Sequence, residues 1–232
     1  MSIGWLGQLQ FLLEKRGSVM NKKHLGDAID YWKRAMLDLF GSEVKRLRVV
    51  PMFTDGKWSR RDLDLYARVL HVKCPQILKH DKQFTHEGRR DYFASLNTAA
   101  SYDVFLDPDT GVEPGCGSAC ERHVTVHELE QMLSTAPGRV LFVYQHAHRK
   151  NDWASDALDR LAEINGTPRC WRFAYDAGSV AMLVVSRDKE RVKRLHARII
   201  IHLHGSSDAR KRLTELRGSP SARQVRCGAA RA

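Results

Sequence analysis

Tyr102-Asp103-Val104-Phe105-Leu106-Asp107-Pro108-Asp109-Thr110-Gly111-Val112 reads as a short strand that ends in two carboxylates on a turn. Val104, Phe105 and Leu106 are β-forming side chains in an apolar run too short to assign on periodicity alone. Pro108 has no amide proton to continue a ladder and Gly111 tolerates positive φ, so the chain turns after Leu106. Asp107 and Asp109 therefore follow the C-terminal end of a strand, the edge at which open α/β sheets bind ligands.

The elements around this stretch alternate. An apolar stripe of Leu25, Ala28, Ile29, Trp32, Met36, Leu39 and Phe40 predicts a helix over 25–40, with Asp27, Asp30, Arg34 and Asp38 on the opposite, solvated face. Residues 47–54 predict a strand that Pro51 marks as an edge or bulge and that ends at Asp55. Ser59 with Asp62, and Thr125 with Glu128, are capping boxes opening helices to Leu70 and Leu133. Thr85 is expected to cap a third helix, to Leu96. Residues 139–145 form the strongest strand pattern, followed by His146 and His148, and a helix is expected over 152–164. Two strands at 170–175 and 179–186 flank the turn Asp176-Ala177-Gly178, and a basic helix is expected over 187–203. The expected fold is α/β, Rossmann-like and three-layered, with a mostly parallel sheet and an antiparallel C-terminal hairpin. Residues 20–204 are expected to form one domain, and 205–232 a disordered basic tail. Residues 1–19 differ in character from the rest of the chain, and the expectation is that the native protein starts at Met20.

At 232 residues and 43% hydrophobic content, the chain can bury a sizeable core. No apolar run approaches the ~20 residues that span a bilayer, and Glu14-Lys15-Arg16 stands where a signal peptide would carry its cleavage site, so a cytoplasmic protein is expected. Five cysteines without a regular framework fit reduced thiols. The net charge of +11 is concentrated at one end: from Arg187 onward, thirteen Lys and Arg face four Asp and Glu. That end favours DNA or RNA through phosphate neutralisation.

If the strands preceding them are parallel, Asp55, Asp107, Asp109, Gln145, His146 and His148 share one rim. Carboxylates with an imidazole suit Mg²⁺ or Mn²⁺ and phosphodiester chemistry, with Asp107 and Asp109 as metal ligands and His146 positioning or activating water. Asp55, Gln145, His148, Lys23 and His24 would line the substrate. Cys116, Cys120, His123 and His127 carry zinc-ligand types, but their spacing is too short for a zinc finger and the helix cap already accounts for the local sequence. There is no G-x-x-x-x-G-K-[ST], no G-x-G-x-x-G after the first strand and no G-x-S-x-G, which weighs against ATPase, ordinary dinucleotide and α/β-hydrolase chemistry.

The words at 24–34 (H-L-G-D-A-I-D-Y-W-K-R), 51–55 (P-M-F-T-D), 105–111 (F-L-D-P-D-T-G), 143–146 (V-Y-Q-H) and 178–183 (G-S-V-A-M-L) resemble an uncharacterised bacterial family. That resemblance implies a domain from about Met20 to Ser186 and no particular activity. The layout also resembles class I S-adenosylmethionine-dependent methyltransferases of the ribosomal-RNA adenine-N6 type, in which a helix precedes the first strand, D-P-P-Y ends the fourth and a hairpin closes the sheet. This second resemblance implies a methyl donor near Asp55 and a target amine near Asp107. Asp109-Thr110 replaces the Pro-Tyr half of that motif, and the Gly-rich cofactor loop is missing. A non-catalytic module that binds nucleic acid or a partner through the basic end is the third reading.

Overall fold

The computed structural model describes residues 25–54, 58–78, 83–96, 102–114, 121–147, 153–164, 169–203 and 213–218. A helix α1 (Ala28–Phe40) precedes β1 (Arg48–Val50), which is followed by α2 (Arg60–Val69) and the short α3 (Arg89–Ala94). Next come β2 (Val104–Leu106), β3 (Gly111–Val112), β4 (His123–Val124), α4 (Val126–Thr135) and β5 (Val140–His146). The chain continues through α5 (Trp153–Leu161), β6 (Trp171–Asp176), β7 (Val180–Ser186), α6 (Lys189–His202) and β8 (Arg217–Gly218).

The main sheet has the order β1-β2-β5-β7-β6-β8. β1, β2 and β5 are parallel, whereas the β5–β7, β6–β7 and β6–β8 pairs are antiparallel. The sheet is therefore mixed, parallel through β1, β2 and β5 and antiparallel from β7 outward. The cause is the hairpin: its second strand, β7, lies inside against β5, and β8 adds one more antiparallel pair outside β6. Pro51 comes just after the edge strand β1, as its missing donor requires.

Alternation along the strands sorts the core onto two faces. Val50, Leu106, Leu141, Val143 and Val185 pack with Phe93 of α3, Leu129 and Met132 of α4 and Leu158 of α5. Val49, Phe105, Phe142, Tyr144 and Val184 pack with Phe40 of α1, Tyr66 of α2 and Leu195 of α6. Helices thus cover both faces, and none among the described residues is long and apolar enough to cross a membrane.

The two capping boxes form as expected: Ser59 Oγ accepts from Asp62 N, and Thr125 Oγ1 accepts from Glu128 N, each at 3.2 Å. Three local expectations change. Thr85 Oγ1 accepts from Gly88 N in a turn, and the helix starts only after Gly88. Gly111 does not merely end a turn but opens β3, which pairs in parallel with β4 as a second small sheet. The region expected to be tail from residue 205 rejoins the main sheet at 213–218: Leu213 bridges Tyr175, and Arg217 pairs with Arg172. Residues 1–24 and 219–232 lie outside the described residues.

Candidate functional site at the rim of the parallel strands

Parallel register puts Val50, Leu106 and Val143 level, so β1, β2 and β5 end on the same edge. The segments leaving these strands are hydrogen-bonded to one another. Asp107 N donates to the Val50 carbonyl at 2.9 Å, Thr54 Oγ1 donates to Asp109 Oδ2 at 2.8 Å, and His146 N donates to the Thr110 carbonyl at 3.1 Å. Asp107, Asp109, Gln145 and His146 are thereby brought together. Asp55, His148, Lys23 and His24 lie outside the described residues.

Asp107 is fully buried and held from two helices. Lys33 Nζ of α1 lies 2.9 Å from Oδ1 and 3.0 Å from Oδ2, and Tyr66 of α2 donates to Oδ2 at 2.7 Å. Lys33 Nζ also donates to Asp30 Oδ1 at 3.0 Å and sits 4.4 Å from the centroid of the Tyr144 ring. One ammonium therefore faces two carboxylates, which leaves an excess negative charge inside the fold. Burial raises the Asp107 carboxyl above its ordinary range and Lys33 only partly offsets this, while the Asp30 charge pushes it further up. Burial alone would discharge Lys33, but the Asp107 and Asp30 carboxylates together hold it above its usual value. Tyr66 and Tyr144 are raised by burial, and the Asp107 charge adds to both shifts.

Asp30 and Lys33 depart from the helical pattern. The stripe predicts Asp30 on the solvated face, with Asp30–Arg34 and Arg34–Asp38 at i,i+4; Arg34 pairs with Asp38, whereas Asp30 is buried and pairs with Lys33. The signal in the sequence is Lys33 itself, which lies four residues after Ile29 and three before Met36, a charged residue within the apolar stripe.

Asp109 is nearly buried beside Thr54. Gln145 serves the rim's backbone: its Oε1 accepts from Val112 N at 2.8 Å, and its Nε2 donates to the carbonyls of Thr110 at 2.8 Å and His146 at 3.0 Å. Gly111 is required above it, because φ is +113° and a Cβ there would stand 2.1 Å from Gln145 Oε1. His146 is half-buried, with Nδ1 3.3 Å from the Ala147 carbonyl and its ring edge-on to Tyr144. Trp58, half-buried, stacks on Phe53 with centroids 3.8 Å apart and meets Tyr66 edge-on.

Elsewhere, a groove of about 1020 Å³ separates α3 from α4. Its charge is mixed, and Arg89 on its wall is tied to Glu128 by two bonds of 2.5 and 2.6 Å. Of the zinc-ligand types, Cys116 and Cys120 lie outside the described residues, while His127 Nε2 rests 2.8 Å from Gln131 Nε2. Among the described residues no three His, Cys, Asp or Glu side chains are grouped to hold a metal ion. Compared with family models, curated proteins and solved structures, the chain matches none.

Proposed function

We propose that the rim after β1, β2 and β5 binds the nucleoside part of a nucleotide or of a nucleic-acid strand, on a Rossmann-like, three-layer, methyltransferase-like scaffold in the cytoplasm. The observation that carries this reading is the bonding of Thr54, Asp109, Thr110 and His146 from three parallel strands into one edge. The described charge of that edge supports it. The Asp109 carboxylate suits ligand groups that donate hydrogen bonds, such as ribose hydroxyls or an exocyclic amine, more than phosphates. Trp58, edge-on to the Tyr66 ring whose hydroxyl donates to Asp107, offers an aromatic wall, the feature that Asp109-Thr110 lacks in sequence. Asp109 and His146 are the contacting groups, and Asp107 positions the loop.

The fit to two cofactors is poor. A divalent cation shared by Asp107 and Asp109 would compete with the Lys33 ammonium at both Asp107 oxygens, so no phosphodiester step is derived through a metal. For S-adenosylmethionine, Pro51, Met52 and Phe53 follow β1 as buried side chains where a glycine cradle would stand, and no methyl transfer is derived.

Calorimetry with adenosine, S-adenosylmethionine, and Mg²⁺ or Mn²⁺ tests the reading. Adenosine binding that Asp109→Asn weakens about tenfold, equivalent to 1.4 kcal/mol, is the expected result. Tight Mn²⁺ binding abolished by Asp107→Asn would restore the metal reading, and no response to any nucleoside would remove the proposal.

A further inference from the structure

Several of the described cations of the basic end are tied down within the fold. Arg191 is buried against Asp103, Arg194 reaches Glu43, Lys193 reaches Glu190, Arg217 reaches Asp159, and Arg198 donates to Ser42. Arg169 and Lys189 differ. Both are exposed, and among the described residues neither faces a carboxylate. Both approach the same indole: Lys189 Nζ lies 4.3 Å and Arg169 Cζ 5.6 Å from the centroid of Trp171. Arg169 also donates to the Gly218 carbonyl at 3.1 Å, which ties it to β8. Two like charges are thus gathered on one half-buried aromatic ring without a counter-ion from the described residues.

We propose that Arg169, Trp171 and Lys189 form a contact for the phosphate backbone of single-stranded nucleic acid. The guanidinium fork and the ammonium supply donors to phosphate oxygens, and an aromatic ring among cations is the arrangement that suits an unpaired strand. Two cations gathered on one ring favour a chain of phosphates over a single one. The contact stands on its own residues and does not rest on the rim's nucleoside. Trp171 pairs with Ser186, level with Val140 at the start of β5, which is the edge opposite the rim.

Fluorescence anisotropy of the full chain with a labelled oligothymidylate, over a range of salt, tests the contact. Arg169→Glu/Lys189→Glu is expected to weaken binding at least tenfold at low salt. It is also expected to reduce the slope of log K against log salt by about 1.4, the value for two lost phosphate contacts on a single strand. The charge-matched Lys193→Glu/Arg194→Glu, on the same helix, is expected to change affinity less than about threefold, and the melting midpoint verifies that both variants are folded. Equal losses from the two pairs, tighter binding of a duplex of the same length, or no binding by the wild type would overturn the proposal.

Discussion

Lys33 faces Asp30 and Asp107 from inside the fold, so each carboxylate depends on a single ammonium. Lys33→Met leaves two buried acids without it and is expected to cost about 3–5 kcal/mol, read by chemical denaturation. The pH dependence comes from Asp107. Its folded value lies above the ordinary 3.8, so the folded chain keeps this proton to higher pH than the unfolded chain. The stability contributed by that proton is full below the unfolded value and is lost as pH rises through the folded one. The melting midpoint of wild type minus that of Asp107→Asn should therefore fall from about pH 4 toward neutrality; a rise would mean that Asp107 titrates below its usual range. Gly111 makes a second, purely steric test. Gly111→Ala drives a Cβ into Gln145 and is expected to cost about 1–3 kcal/mol. Adding Gln145→Ala removes the obstacle, so the double variant should lose less than the sum of the single ones; strict additivity would show that only the positive φ matters.

Among the elements, α6 adds to its apolar packing one buried ion pair that ties it to the strand ends. Arg191 makes two bonds to Asp103, of 3.0 and 2.6 Å, and caps the carbonyls of Gly138 and Glu43. Asp103 in turn accepts from Val140 N and Lys45 N, so β2, β5 and α6 meet at one carboxylate. Arg191→Met should cost about 3–5 kcal/mol, whereas Arg194→Met, at an exposed pair, should leave the melting midpoint nearly unchanged; similar losses would refute the distinction. None of this is legible in the sequence, where Arg191 counts as one more charge in a basic helix. Helix faces, capping boxes and strand ends are legible because they arise from periodicity and local side-chain chemistry: Ser59, Thr125, Tyr66 and Leu158 stand where the pattern places them. Features that depend on partners remote in the chain are not. The 74-residue separation of Lys33 and Asp107, the insertion of β7 next to β5, and the return of residues 213–218 to β6 leave no local trace.

At the scale of the molecule the two proposed contacts lie at opposite edges of the sheet. β5 runs seven residues from one edge to the other, a span of about 20 Å at the rise of an extended strand. The described charges divide accordingly: carboxylates collect where β1, β2 and β5 end, and the cations Arg169 and Lys189 gather beside Trp171 where β6 begins. One nucleotide cannot reach both, so the Arg169–Lys189 pair and the carboxylate rim do not form a single cleft. They would engage one strand only through several nucleotides wrapped around the sheet. The two functions should therefore separate under mutation. Asp109→Asn should weaken adenosine binding and leave oligothymidylate affinity within about twofold, while Arg169→Glu/Lys189→Glu should do the reverse, since sites this far apart act additively unless a shared element couples them. The measurement is a cycle of the two lesions and their combination with both ligands. A coupling above about 1 kcal/mol would mean that one strand spans the two edges, and the carboxylate rim would then be reading a base in a chain already held by its phosphates.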